Sequence, residues 1–402
     1  MALPTDPAPD PLPTSARHAD GPLTGLRVID CSTVVAGPGC ARYLADFGAD
    51  VVKVERPDGG DTTRAMGWRD PRDDVTLWWK LEGRNKRSVV LDLKDPEDLD
   101  RMRRLVADAD VLVENFRPGT LERLGLDPVQ LIEANPRLVV TRITGFGQDG
   151  PYAGRPGFAT IAEAMSGFAG INGEPDGAPL LPPIALTDEI TALVAAYATL
   201  AAVHSGVGQV VDANLYESLL QVMGPLPSAK ALLDYDQPRL GAGIPYSVPR
   251  GTYRCSDGRW VAISTSAESV AQRVMALIGL AGDPRVATFS DRVAHRELVD
   301  GTLGAWIAGR PLDDVLVAFE AAHAAAAPVH TMGDILADPH LAARGALPVV
   351  DGVPMQGLVA RLSATPGRLR WAGRPLGADT EAVLAEVEST VADAPPPPGA
   401  AV

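Results

Sequence analysis

The sequence predicts an α/β protein with a Rossmann-like, doubly wound parallel sheet and a smaller α+β domain. Three observations predict it. Short Val- and Leu-rich runs alternate with longer amphipathic stretches from Leu26 to about Phe146. The first run is followed by a Gly/Pro segment, a helix and a second apolar run, the order of a βαβ unit. The chain has 402 residues with 40 Gly and 36 Pro, enough for a large core joined by many short loops.

The elements follow in order. Leu26–Cys31 (LRVIDC) reads as a buried strand, and AGPG at Ala36–Gly39 as a turn. CARYLADFG is an amphipathic helix closed by Gly48, and Asp50–Glu55 is the second strand. RSVVLDL, ADVLVEN and PRLVVTRITGF read as further strands. Between them, Asp95–Ala107 opens with Asp and Pro, as a capped helix does. Near Pro156 the pattern changes. Gly157–Gly170 reads as a tightly packed helix of small residues, and Asn172–Pro183 as a Gly/Pro-rich loop. Thr187–His204 reads as a long Ala-rich helix with Asp188 and Glu189 in its first turn, and QVVDANLYESLLQVM adds a strand and a helix. From about Gly241 a smaller unit begins. Its hairpin, Gly251–Ser264, turns at Asp257–Gly258. Ala-, Val- and Leu-rich helices follow. VPMQGLVARLSATPG then reads as strand and turn, with a last helix near Asp379–Glu388.

The formal net charge of −15 opposes binding to nucleic acid and to anionic membranes. An anionic ligand needs a local basic cluster. Cys31, Cys40 and Cys255 form no CxxC pair, so each reads as a small buried residue in a reduced, cytoplasmic protein. Residues 1–22 lack the apolar segment of a signal peptide and read as a disordered arm, as does the tail 392–402. No run of about 18 apolar residues marks a spanning helix. The histidines lack metal-ligand spacing, save loosely His323 and His330, and no metal is expected.

Asp188, taken alone, is either a helix N-cap or a nucleophile. Glu189 reads as a solvated first-turn acid. A dehydrogenase is the rival that the fold invites, with Glu55 ending the second strand, but AGPG lacks the GxGxxG pattern.

Four stretches identify a family. They are PLTGLRVIDCSTVVAGPGCARYLADFGADVVKVERPDGGDTTR, RNKRSVVLDLK, the segment from ADVLVENFRPG to GQDGPYAGRPG, and LSATPGRLR. From about Gly21 to Val391 the chain resembles the family III CoA-transferases (CaiB/BaiF), which include formyl-CoA transferase, carnitine CoA-transferase and α-methylacyl-CoA racemase. The resemblance implies a CoA-transferase acting on an acyl-CoA and a carboxylic acid, with CoA as substrate and no prosthetic group. It also implies an interlocked, ring-like homodimer. Residues 23–227 and 330–391 would form the large domain, and 228–329 the small one. Asp188 in PPIALTDEITAL corresponds to the nucleophile, which forms a mixed anhydride and then an aspartyl-CoA thioester. A helix N-terminus would help keep it ionised. Arg56 is placed beside the adenine and ribose phosphate. Lys86, Asn115, Phe116 and Arg123 correspond to CoA contacts, and Ala36 lets the ligand approach the backbone. Arg87 and Arg117 stay open between ligand contacts and surface charges. Gly241, Ala242 and Gly243 are either oxyanion donors or a flexible turn.

Some positions depart from the pattern. Thr33 and Val35 stand where formyl-CoA transferase has His and Gln, which suits a more apolar acyl group. Phe158 replaces the racemase histidine, and a phenyl ring cannot accept a proton. Acyl exchange is therefore preferred over the alternative, racemase-type proton transfer. Glu163 reads as a buried or partnered acid rather than a substitute base.

Overall fold

The computed structural model describes residues 21–392. Nearly all of the expected arm and tail lies outside the described residues. The described residues form two compact units: 21–166, 182–222 and 342–392 make the first, and 167–181 with 223–341 the second.

The first unit is built on a six-stranded sheet. Its strands are β1 (Arg27–Asp30), β2 (Asp50–Glu55), β3 (Lys86–Val90), β4 (Val111–Glu114), β5 (Val139–Thr144) and β6 (Gln209–Asn214). Their order is β3-β2-β1-β4-β5-β6 and every pair is parallel. This is the doubly wound arrangement, with its switch point between β1 and β4. Side chains alternate along each strand, so both faces are packed. Val28, Val51, Val111 and Val139 face one core with the helices Ala36–Asp46 and Leu186–Ser205. Ile29, Val52, Leu112 and Val140 face the other, with Met102, Leu105, Val383 and Val387 from the helices Pro96–Ala107 and Thr380–Ala392. Ile29 and Leu112 are fully buried, and truncating either to Ala costs ~2–5 kcal/mol.

Three expectations change. AGPG is not a separate turn but the first turn of the helix Ala36–Asp46. Pro38 is tolerated there because first-turn N–H groups lack partners anyway. A Cβ on Gly37 would come within 2.3 Å of Ser32 Cβ, so this turn can lie against the end of β1. The single helix expected at Gly157–Gly170 is two, Ala159–Met165 and Phe168–Ile171, broken by Gly167 at φ +89°. Finally, Leu186–Ser205 is long and apolar enough to cross a membrane by length and composition, although polar residues interrupt its apolar run. In this fold one face of it packs into the core. Its stripe of Thr191, Ala192, Ala195, Ala196, Thr199 and Ala202 is buried, and Thr141 and Thr199 share a hydroxyl hydrogen bond of 2.6 Å.

In the second unit, β7 (Arg250–Arg254), β8 (Trp260–Ser264) and β9 (Ala325–Pro328) form an antiparallel sheet, with the hairpin turning where the sequence places it. Val261, Ile263, Val274, Leu303 and Phe319 form its core. The Gly/Pro-rich segment 167–181 belongs here. Arg239 donates to the carbonyls of Glu174, Pro175 and Gly177 at 3.1, 3.3 and 2.8 Å, and Gly241 N–H to Gly173 at 2.9 Å. The three cysteines are buried thiols.

Candidate active site

In a doubly wound sheet the carboxyl ends of the strands flanking the switch point leave a crevice. Here the segments after β1, β4 and β5 line a cleft of about 240 Å³. Thr33–Ala36 follow β1, Asn115–Pro118 follow β4, and Gly145 and Arg155–Phe158 follow β5. The last segment turns back because Gly145 and Gly157 touch: a Cβ on either would lie 2.5 Å from the other's Cα. The volume is below that of a typical pocket for a drug-sized ligand, so the cleft takes one portion of a large molecule.

Among the described residues, Asp188 is the only acid lining this cleft. It is not an N-cap. Ala185 caps the helix Leu186–Ser205, which places Asp188 third in the helix. No hydrogen bond or ion pair to its carboxylate occurs among the described residues. Burial pushes its pKa up to about 6, and the negative charges of Glu163 and Glu189 add to the rise. The expected help from the helix start is therefore outweighed, yet at pH 7 the group is still mostly ionised.

Its acidic neighbours are engaged. Glu163 is buried and accepts from the Thr187 hydroxyl at 2.8 Å. Glu189 is not the solvated acid that was expected. Arg42 donates to both its oxygens at 3.1 and 2.9 Å, and the Tyr43 hydroxyl donates at 2.6 Å. The same guanidinium reaches Glu82 at 3.3 Å, and burial pushes Glu82 up to about 7.

Beneath the first turn lies a second ionic group, fully enclosed. Lys53 sits 2.9 Å from Asp61 and 3.5 Å from Asp30, and it donates to the Ser32 carbonyl. Lys86 requires a correction. The resemblance implied a CoA contact, but its ammonium is 1% exposed and donates to Asp30 at 2.9 Å and to the Pro38 carbonyl at 2.7 Å. Burial raises the Asp30 pKa, but Lys53, Lys86 and the Ser32 hydroxyl outweigh it and leave the carboxyl below its ordinary range. Withdrawing Lys86 to meet a ligand would strip a buried acid of a cation, so here it is a structural group. Arg87 is likewise spoken for, by Asp50 at 2.7 Å and Glu386 at 2.9 Å.

The other CoA candidates fall into two groups, inside and outside the cleft lining. Ala36 and Phe116 line the cleft. The Phe116 N–H donates to Glu114 at 2.7 Å, which Arg142 holds at 2.6 Å. Asn115 lines it too, but its amide is used internally, accepting from Thr33 N–H at 2.8 Å and donating to the Thr33 carbonyl at 2.6 Å. Arg56 and Arg123 are exposed and lie outside the cleft lining, after β2 and β4 on the same edge of the sheet. Arg56 has no ion pair among the described residues, while Arg123 donates to Thr120 at 2.8 Å. Gly241–Gly243 line a different cavity in the second unit, with Asn172, Arg250 and Ser264.

Two lining cations escaped the sequence reading. The sequence leaves Arg117 open between a ligand contact and a surface charge, and Arg155 carries no local signal of its own. Both are exposed, neither has a carboxylate partner among the described residues, and Arg155 stacks 4.0 Å over the Tyr152 ring. An arginine after a strand carries no local signal that separates a ligand-facing cation from a surface one. Glu55 also differs from the dehydrogenase rival's needs, since it binds Arg64 at 2.7 and 2.8 Å and the Ser88 hydroxyl at 2.7 Å.

The family model for CoA-transferase family III matches residues 23–380. Succinyl-CoA–D-citramalate CoA-transferase of Chloroflexus aurantiacus is 38% identical over 385 residues, covering 93% of this chain and 96% of that protein. The succinyl-CoA–L-malate CoA-transferase beta subunit of the same organism is 40% identical over 381 residues, covering 91% and 94%. A crystal structure of a CAIB/BAIF family protein from Brucella suis superimposes with a TM-score of 0.82 at 32% identity, over 92% of this chain and 100% of that one. These relatives do not favour the racemase alternative, in keeping with an exposed phenyl ring at Phe158 in the cleft wall. The chain belongs to CoA-transferase family III and is a CoA-transferase, with CoA thioesters as its substrates.

Proposed function

We propose that this enzyme moves CoA from succinyl-CoA, or a similar short acyl-CoA, to a second carboxylic acid through covalent bonds to Asp188. One observation carries the reading: among the described residues, Asp188 is the only acid lining the cleft, and its ionisable carboxylate has no partner of its own. A carboxylate Oδ attacks the thioester carbon, the C–S bond breaks, and CoA leaves as thiolate. The product is a mixed anhydride between Asp188 and the acyl group. The thiolate attacks the Asp188 carbonyl carbon and expels the donor acid, leaving an aspartyl-CoA thioester. The acceptor carboxylate attacks that carbon, releases the thiolate and forms a second anhydride. Thiolate attack on the acceptor's acyl carbon frees Asp188. No net proton is consumed, so no external base is required.

Arg117 and Arg155 supply positive charge in an acidic protein, where CoA phosphates and a substrate carboxylate need it. Ala36, Asn115 and Phe116 shape the cleft, and Arg56 and Arg123 extend the basic edge. The succinyl donor comes from the relatives' names, and a malate-like dicarboxylate acceptor follows from the same source.

The interlocked homodimer, with 228–329 as its small domain, belongs to the same proposal. Exposed Leu193, Val194 and Tyr197 on the long helix support a partner surface. Three free thiols suit a cytoplasmic setting.

Trapping tests the chemistry. After incubation with succinyl-CoA, hydroxylamine should convert Asp188, and no other carboxyl, to a hydroxamate located by mass spectrometry. Active exchange with an unmodified Asp188 overturns the mechanism.

A further inference from the structure

The turn between β1 and the helix Ala36–Asp46 contains a conformation that β-branched residues avoid. Val34 has φ +72°, in the left-handed region where a branched side chain crowds its own backbone. Such a residue persists only where its surroundings over-determine it.

Four consecutive backbone groups are held here, all from outside the turn. The Ser32 carbonyl accepts from Lys53, and Thr33 N–H and carbonyl are both bound by Asn115. Val34 N–H donates to Asp61 Oδ1 at 3.2 Å. Asp61 is itself locked. Its Oδ1 accepts from Thr63 N–H at 2.9 Å and Thr63 Oγ1 at 2.8 Å, and its Oδ2 lies 2.9 Å from Lys53. Its N–H donates to Glu55 at 3.0 Å, and the residue is 2% exposed. Asp61 does not line the cleft, whereas Thr33, Val34, Val35 and Ala36 do.

From this geometry we infer that Asp61 is a positioning residue: it holds Val34 left-handed and thereby sets the wall of the cleft against which acyl-CoA binds. This rests on the reading of the cleft as the acyl-CoA site. Without the Asp61 carboxylate, Val34 relaxes toward negative φ and the wall shifts. Glycine at position 34 adopts positive φ without steric cost.

The test is steady-state kinetics of Asp61→Ala, Asp61→Asn and each combined with Val34→Gly. Asp61→Ala should raise KM for succinyl-CoA about tenfold, equivalent to ~1.4 kcal/mol, with a smaller change in kcat. Asp61→Asn should raise it less, and it serves alone if the alanine variant does not fold. Adding Val34→Gly should recover most of the loss. A defect in folding would instead lower kcat with KM unchanged, and that pattern overturns the inference. So does a double variant no better than the single one. Arg117→Glu is the control on the cleft. If it leaves CoA binding by calorimetry unaltered, the site reading fails. If it weakens binding while the Asp61 variants keep wild-type KM, only the positioning role fails.

Discussion

The enclosed ionic layer under the first turn and the cleft above it contain similar residue types in opposite states. In the layer, Asp30, Lys53, Asp61 and Lys86 meet one another at 2.9–3.5 Å out of contact with water. In the cleft, Asp188, Arg117 and Arg155 are near one surface and have no ionic partner among the described residues. Charges that satisfy each other are structural, because separating them in a low-dielectric interior is costly. Charges left uncompensated at a concave surface are available to a ligand.

The difference can be broken at four places. The largest effect belongs to Asp188. Asp188→Ala should lower kcat by about 10⁴-fold or more, as loss of a covalent nucleophile does, while CoA binding by calorimetry stays near wild type. Next comes the layer. Lys86→Met leaves Asp30 with one more distant cation and should cost about 3 kcal/mol of stability in urea unfolding. A variant of wild-type stability would mean that Lys86 is free to serve a ligand after all.

Arg117→Ala and Arg155→Ala should do the reverse, each raising KM for succinyl-CoA about tenfold at unchanged melting temperature. A loss of stability without a change in KM would move them into the structural class. The smallest effect is on pH. Burial and the charges of Glu163 and Glu189 raise the Asp188 pKa to about 6, and in the proposed mechanism only the ionised form attacks. Activity should therefore fall as pH drops through 6 and level off above neutrality. Glu163→Gln removes one negative neighbour, so the midpoint should move to lower pH. A midpoint that stays or rises would separate the profile from Asp188.

The legible parts of the molecule are those encoded by local pattern. The strands β1 to β5 read directly from Val- and Leu-rich runs, and the first-turn position of Asp188 from the pattern of its helix. Lys86 and Glu189 were misread for a shared reason. Their motifs and spacing say that a charge is present, but not which distant residue neutralises it. The partners of Glu189 are 146 and 147 residues away, and the Asp30 that binds Lys86 is 56 away. The same holds for Arg155, whose lack of a partner is a property of the cleft. The break at Gly167 was local but ambiguous, because glycine is compatible with a packed helix and with a left-handed stop.

The sequence by itself determined the α/β class, the doubly wound sheet and the CoA-transferase family, and it placed Asp188 in the first turn of its helix. Hydrophobic period, turn residues and motif spacing act over a few residues, and they are written in the chain. Tertiary structure decided which charges are spent on each other and which remain. It also decided that a valine is held left-handed at the cleft wall. Both depend on groups far apart in sequence meeting where water is excluded, and there a single partner decides whether a charge is structural or available to bind.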